Sequence, residues 1–274
     1  MGTRYAHAGR RGPRRGCVGA LAALLALVIA VPLPAAERAS VAVAASLRIA
    51  MPALIAAFER ETGHSLRVAY ASSGILTRQI RRGAPFSLFL AANADYPGKL
   101  VRAGLTVGAG TTYAHGRIGL FVPDGSPLDA DAGLEGLRRA LANGRVERFA
   151  IPHPGHAPYG VRARQALEHA GLWQRIQPVL VRGENAAQAA QFSASGSTAG
   201  GIIPASLGRA PRFAERGRFA PIAARRHAPL EQRMVLLAGA DATARSFYRF
   251  MQGPVARRIL ERNGFALPAA DASP

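Results

Sequence analysis

From residue 40 to residue 262, short apolar segments typical of buried strands alternate with longer segments of helical periodicity. The first strand-like segment covers residues 40–45. The helical segment after it ends at Gly63, a residue type that suits the position after a helix. Repeated alternation of this kind predicts an α/β fold with mostly parallel sheets flanked by helices. A chain of 274 residues is long enough to form two such lobes, each with its own core.

The N-terminus has the three parts of an export signal. Residues 1–15 contain five arginines and no acidic residue, residues 17–31 are apolar or small, and a pair of alanines ending at Ala36 follows. An uncleaved membrane anchor is the alternative, but the apolar segment is short for a span and two prolines end it. We therefore expect residues 1–36 to be a cleaved signal peptide and the mature protein to be periplasmic.

The chain is strongly basic, with a formal net charge of +19. Such a charge is typical of proteins that bind nucleic acids or membranes. However, the arginines are spread along the chain, and their densest stretch, residues 209–226, lacks the alternating aromatic residues that single-strand binding uses. We interpret the arginines as a solvated surface and expect no nucleic-acid partner. The single cysteine excludes a disulfide scaffold and a CxxC zinc site.

Four strand-to-helix junctions place a small or hydroxyl-bearing residue at or near the start of a helix. The junctions are Ala45-Ser46, Ser72-Ser73-Gly74, Pro158-Tyr159-Gly160 and Asn185-Ala186. A helix start offers free backbone N–H groups and the positive end of the helix dipole, which together attract anions. In open α/β sheets, ligands bind at the carboxyl ends of the strands, where these junctions lie. Taken singly, each junction is also explained by ordinary helix capping.

Patterns typical of enzymes are missing from the sequence. It contains no GxSxG, SxxK, HExxH or P-loop pattern, and no carboxylates pair for acid–base chemistry. His153 and His156 have an HxxH spacing, but a proline-rich loop is a poor support for two metal ligands, so we interpret them as loop histidines. We expect no catalytic residues, no metal site and no cofactor.

Eight segments in order along the chain resemble the periplasmic molybdate-binding proteins, which are the receptors of molybdate ABC importers. They are VAVAASL (41–47), ETGH (61–64), ASSGILTRQI (71–80), GAP (83–85), HAPYG (156–160), GLW (171–173), GENAAQ (183–188) and NGF (263–265). The resemblance implies a two-lobed, type II-like periplasmic binding protein with the ligand in the cleft. It implies lobe I at residues 37–120 plus 230–274 and lobe II at residues 121–229.

The resemblance also implies four ligand-binding positions. Ser46 and Ser73 of lobe I match positions where both the hydroxyl and the backbone N–H donate, and Tyr159 and Ala186 of lobe II match positions where the backbone N–H donates. A set that only donates suits molybdate, which carries no proton at neutral pH and only accepts hydrogen bonds. One departure is Pro204, which stands where the family often has a tyrosine. We expect Tyr159 to replace part of that lost donor.

The function that the resemblance implies is capture of molybdate or tungstate and its delivery to the membrane permease of an ABC importer. The protein would be a monomer without enzymatic activity. Two alternatives stay open. One is a receptor for another tetrahedral oxyanion such as sulfate, or for a different small ligand. The other is an exported polyanion-binding protein or enzyme.

Overall fold

The computed structural model describes residues 39–268, which form two five-stranded sheets flanked by helices. The strands are β1 (Ala39–Ala44), β2 (Leu66–Ala71), β3 (Leu88–Leu90), β4 (Thr106–Gly116), β5 (Ile118–Pro123), β6 (Phe149–Pro152), β7 (Leu180–Gly183), β8 (Gly201–Pro204), β9 (Gly217–Pro221) and β10 (Leu230–Leu237). The helices are α1 (Met51–Thr62), α2 (Ser73–Arg81), α3 (Asp95–Arg102), α4 (Glu135–Ala142), α5 (Pro158–His169), α6 (Trp173–Ile176), α7 (Ala186–Ala194), α8 (Ala205–Gly208), α9 (Pro211–Ala214), α10 (Ala242–Phe250) and α11 (Pro254–Arg262). The predicted signal peptide lies outside the described residues.

The two sheets have matching strand orders. The first sheet has the order β2-β1-β3-β10-β4, and the second has the order β7-β6-β8-β5-β9. We call the first sheet with its helices lobe I and the second with its helices lobe II. The chain crosses from lobe I to lobe II between β4 and β5, and it returns between β9 and β10. The predicted lobe boundaries at residues 120 and 229 remain predictions.

Each sheet is mixed rather than mostly parallel. In lobe I, β1 pairs in parallel with β2 and β3, while β10 pairs antiparallel with β3 and β4. In lobe II, β6 pairs in parallel with β7 and β8, while β5 pairs antiparallel with β8 and β9. The antiparallel pairs arise because the strand next to each edge, β10 or β5, belongs to a crossing of the chain between the lobes. The predicted α/β class and two-lobed architecture are confirmed.

The strand predicted at residues 40–45 is present as β1, and the helix predicted to end at Gly63 is present as α1, but two strands were not predicted. These are β4 and β9, and each is an edge strand with one partner. An edge strand needs no continuous apolar pattern, which explains why the glycine-rich β4 and the arginine-containing β9 gave no clear signal. In α1, Pro52 occupies the first turn, and Gly63 ends the helix with a φ of 71°.

The core consists of separate apolar clusters in the two lobes. In lobe I, α1, α10 and α11 pack aromatic and aliphatic side chains on one face of the sheet, with Phe58 against Phe247 at a ring distance of 5.1 Å. The lobe II cluster also contains Ala45 and Ala92 from lobe I, so the lobes share a buried contact. Within residues 39–268, no helix is both long and apolar enough to cross a membrane.

Candidate anion-binding site at the interlobe seam

The four junctions named from the sequence follow strands that occupy equivalent places in the two lobes. In lobe I, β1 leads into a 3-10 turn (Ala45–Leu47) and β2 leads into α2; in lobe II, β6 leads into α5 and β7 leads into α7. Because β1 is parallel to β2 and β6 is parallel to β7, each pair of junctions lies at one edge of its sheet. We call the surface where the 3-10 turn and α2 meet α5, α7 and α8 the interlobe seam.

Lobe I contributes two buried serines to this seam. Ser46 lies in the 3-10 turn and is only 1% exposed, and its hydroxyl has no hydrogen-bond partner among the described residues. Ser73 is the first residue of α2, and its Oγ accepts a 2.9 Å hydrogen bond from the N–H of Ala92. Each serine therefore keeps a hydroxyl proton that it can donate to a further group.

Lobe II contributes the first turns of two helices. Tyr159 is the second residue of α5, and Ala186 is the first residue of α7; both are buried. The side chain of Asn185 caps α7 by accepting 3.0 Å hydrogen bonds from the next two N–H groups after Ala186. This cap leaves the N–H of Ala186 itself free to point out of the helix.

The backbone N–H groups at all four positions share one property. Within residues 39–268, the N–H groups of Ser46, Ser73, Tyr159 and Ala186 donate to no acceptor. Buried polar groups of a folded chain are nearly always hydrogen-bonded, so four unused donors and the unpartnered Ser46 hydroxyl at one seam indicate a place for an acceptor. Helix N-termini are suited to bind anions for the same reason.

Direct hydrogen bonds across the seam hold the two lobes together. The N–H of Gly74 in α2 donates to the carbonyl of His156 at 2.9 Å, and His156 Nδ1 lies 2.9 Å from Ser72 Oγ. On the other side of the seam, Ser206 Oγ of α8 donates to the carbonyl of Ser46 at 2.8 Å. The two lobes are therefore in direct contact at the seam.

The electrostatics of the seam come from neutral groups. Among residues 39–268, every fully buried polar side chain is uncharged. Burial raises the pKa of Tyr159 far above its ordinary value, although a hydrogen bond from Gln232 opposes the shift. The nearby hydroxyls of Ser46 and Ser206 also lower the pKa of Tyr159. The Ser46 hydroxyl has no hydrogen-bond partner among the described residues, and the Ser206 hydroxyl donates to the carbonyl of Ser46. The phenol therefore stays protonated at neutral pH and can donate a hydrogen bond. No carboxylate is buried among residues 39–268.

Of the two loop histidines, His156 contacts lobe I, and His153 packs against His156. The rings of His153 and His156 stack at 4.5 Å, and His156 Nε2 lies 3.5 Å from the exposed carboxylate of Glu184. Burial, His153 and Arg78 lower the pKa of His156, while Glu184 raises it, and the net change is a decrease. No group of three or more potential ligands among the described residues is arranged to hold a metal ion.

Sequence reasoning missed two contributors to the seam. Gln232 of β10 is completely buried, and its Nε2 donates to Tyr159 Oη at 2.6 Å. Its neighbours Glu231 and Arg233 are charged, so no local pattern indicated that it would be buried. His156 was assigned to a loop, and only the tertiary structure places it against Ser72 and Gly74. At the position where a tyrosine was expected, Pro204 ends β8 and precedes α8, so it offers no donor.

Comparison with known proteins agrees with this architecture. Residues 39–266 match the family model described as bacterial extracellular solute-binding protein. The molybdate-binding protein ModA of Rhodobacter capsulatus is 34% identical over 89% of this chain and 94% of its own length. The corresponding protein of Azotobacter vinelandii is 32% identical over 85% of this chain and 91% of its own length.

Solved structures show the same fold. The periplasmic molybdate-binding protein of Azotobacter vinelandii has a TM-score of 0.76 and 27% identity, and the match covers 84% of this chain and all of that one. The sulfate-binding protein SubI of Mycobacterium tuberculosis has a TM-score of 0.69 at 18% identity, covering 85% and 87% of the two chains, and it shares the fold. The chain therefore belongs to the bacterial extracellular solute-binding protein family, in which molybdate-binding proteins are among its relatives.

Proposed function

We propose that this protein is a periplasmic receptor that captures molybdate or tungstate between its lobes and delivers the anion to the permease of an ABC importer. The observation that carries the proposal is the set of unused donors at the interlobe seam, formed by the N–H groups of Ser46, Ser73, Tyr159 and Ala186 and by the Ser46 hydroxyl. The relatives named molybdate-binding protein support the choice of anion. The protein acts as a monomer and as a receptor rather than an enzyme.

The chemistry of the donor set favours a dianion without protons. Molybdate accepts hydrogen bonds at all its oxygens, and charge-assisted bonds from neutral donors are among the strong ones in proteins. Neutral dipoles hold the charge without a buried counter-ion, whose desolvation would be costly. A positively charged ligand is not favoured at the seam, because no carboxylate is buried among the described residues.

Calorimetric titration of the mature protein with molybdate, tungstate, sulfate and phosphate tests the proposal. We expect one anion per protein, with molybdate and tungstate bound more tightly than the other two. Tightest binding of sulfate would reassign the ligand. Binding of none of the four anions would overturn the proposal.

A control variant separates capture at the seam from binding to the basic surface. Arg212, Arg216 and Arg218 are exposed and lie in lobe II outside the seam. Replacing all three with glutamine is expected to leave the affinity for molybdate unchanged. A surface that binds polyanions would instead lose affinity in this variant and would show a steep dependence on salt.

The location and the motion of the receptor need separate tests. For export, we expect mass spectrometry of the periplasmic protein to find a chain that begins near Glu37, and an intact N-terminus would contradict the cleavage.

For closure of the two lobes, taken as residues 37–120 plus 230–274 and residues 121–229, small-angle scattering is expected to show compaction when the anion is added. An unchanged scattering profile at saturating anion would contradict it.

A further inference from the structure

The orientation of Ser46 in lobe I depends on a hydrogen bond from lobe II. Among residues 39–268, its N–H and its hydroxyl have no partner, whereas its carbonyl oxygen accepts a 2.8 Å hydrogen bond from Ser206 Oγ. Ser46 is 1% exposed and Ser206 is 4% exposed, so bulk solvent does not compete for this bond. The two donors of Ser46 therefore belong to a residue that is anchored from the opposite lobe.

The direction of this hydrogen bond is fixed by the groups that form it. A carbonyl oxygen only accepts, so the proton between the two residues is the hydroxyl proton of Ser206. The phenol of Tyr159 also lies near Ser206, and Ser206 Oγ can accept the phenol proton while it keeps its own proton on Ser46. If the Ser206 hydroxyl turned to Tyr159 instead, the buried carbonyl of Ser46 would have no donor among the described residues, which is costly.

Main-chain contacts from both sides hold Ser206 in place at the start of α8. The N–H of Ala205 donates to the carbonyl of Arg117, where the chain crosses between the lobes, at 2.9 Å. From lobe I, Gly264 approaches so closely that a Cβ at this position would lie 3.1 Å from the carbonyl oxygen of Ala205 and 3.3 Å from the nitrogen of Ser206. Pro204 offers no donor, so Ser206 is the residue through which this segment donates a side-chain hydrogen bond across the seam.

The carbonyl of Ser46 is an acceptor beside two donors. A dianion that binds to the N–H and the hydroxyl of Ser46 is repelled by a free carbonyl oxygen on the same residue. The Ser206 hydroxyl engages this oxygen and offsets part of its negative charge. Because all three groups branch from one Cα, a hydrogen bond that fixes the carbonyl also limits the directions in which the two donors point.

We propose that Ser206 is a positioning residue of the anion site, which engages the carbonyl of Ser46 and thereby holds the N–H and the hydroxyl of Ser46 toward the bound anion. The inference rests on the proposed function and adds to it a residue that acts through Ser46. It also gives the contact between the lobes a role in binding, because lobe II completes the arrangement of a lobe I donor.

Substitutions that remove or keep the hydroxyl at position 206 test the inference. Ser206→Ala leaves the carbonyl of Ser46 without its donor, and we expect molybdate affinity to fall by about tenfold or more, the scale of one buried group left unsatisfied. Ser206→Thr keeps the hydroxyl, and its affinity is expected to stay within about threefold of the native value. Ser193→Ala is the matched control, because Ser193 is also buried in lobe II but donates to the carbonyl of Ala189 in its own helix.

The backbone amide signals give a readout that a purely structural role would not change. In NMR spectra of the native protein, we expect the amide protons of Ser46 and Ala186 to shift downfield when molybdate is added, because each donates to the anion. In Ser206→Ala, the shift of Ser46 should become smaller while that of Ala186 stays, since the Asn185 cap sets the latter independently. Equal reduction of both shifts would indicate a general loosening of the site and overturn the positioning role.

Calorimetry with molybdate and thermal unfolding of each variant complete the test. If the native protein binds no molybdate, the proposed function itself fails. If the native protein binds and Ser206→Ala keeps native affinity, the positioning role is overturned and the proposed function stands, whatever the change in unfolding. Should Ser206→Ala fail to fold, Ser206→Cys decides, because its thiol has a similar size but is a weak donor. We expect its affinity to be about threefold or more weaker, and unchanged affinity overturns the inference.

Discussion

Lobe I and lobe II build their halves of the seam from equivalent strand ends but with different chemical groups. Lobe I uses hydroxyls, because Ser46 and Ser73 each combine a free N–H with a side-chain donor. At Ala186, lobe II uses the backbone, because this residue has no polar side chain and the Asn185 cap leaves its N–H free. The comparison teaches that the same α/β junction can form a donor site by side chain or by main chain. A side-chain substitution at Ser73 should therefore matter far more than one at Ala186.

Among the substitutions that test this comparison, Ser73→Ala is expected to have the largest effect on molybdate affinity. The substitution removes a hydroxyl donor to the anion, and we expect molybdate affinity to fall by about 1.5–3 kcal/mol. It also leaves the buried N–H of Ala92 without its acceptor, which should lower the free energy of unfolding by about 1–3 kcal/mol. Calorimetry and urea unfolding of the same variant measure the two losses.

A matched control for this variant is Ser193→Ala. Ser193 is also completely buried, but its hydroxyl donates to the carbonyl of Ala189 in its own helix. Its replacement is expected to leave molybdate affinity unchanged. The helix cap is not at issue, because Ser72 and not Ser73 caps α2, through its Oγ and the N–H of Ile75. Full affinity in Ser73→Ala would remove Ser73 from the proposed site.

The next effect concerns the contact between the lobes. In Gly74→Ala, the new Cβ would lie 2.8 Å from the carbonyl oxygen of His156 and 2.7 Å from Tyr96 Oη. We expect the closed state to be disfavoured by about 1–3 kcal/mol, the cost of overpacking, with a corresponding loss of molybdate affinity. Scattering and calorimetry measure closure and affinity. Gly98→Ala in α3 is the control, because its Cβ approaches only the end of the Arg102 side chain, at 3.5 Å.

A smaller effect should follow from the titration of His156. Its pKa is lowered in the folded protein, mainly by burial, so between that pKa and about 6.5 the unfolded chain binds more protons. The stability from neutral His156 is therefore present above pH 6.5 and lost as pH falls through the folded-state pKa. Urea unfolding across this range should show the loss in native protein, and His156→Gln should show less of it. Identical pH profiles would exclude the histidine as the source.

The smallest effect is expected for Ala186→Gly, which sharpens the contrast with Ser73→Ala. The N–H of residue 186 and the Asn185 cap both remain, so molybdate affinity should change by less than about 0.5 kcal/mol. The free energy of unfolding should fall by at most about 1 kcal/mol, because glycine is less favourable in a helix. Calorimetry of the two variants side by side measures the difference. A loss in Ala186→Gly as large as that in Ser73→Ala would refute the division between side-chain and backbone donors.

Local chemistry in the sequence was sufficient for the alternating elements and for the helix starts. Gly63 and Asn185 mark helix ends by backbone and capping preferences that do not depend on distant residues, and each acts where predicted. The edge strands β4 and β9 escaped prediction because each has only one neighbouring strand and little buried surface. The four site positions came from resemblance to a family, and their role in binding stays a prediction.

What the sequence by itself determined is the α/β class and the places where strands give way to helices, since short-range periodicity and capping specify both. Only the tertiary structure decided that β10 returns to the first sheet and brings Gln232 to Tyr159, 73 residues away along the chain. It also decided that His156 meets Ser72 across the seam, 84 residues away. Such pairs form because both lobes bury surface against each other, and no local pattern encodes which distant polar groups then satisfy one another.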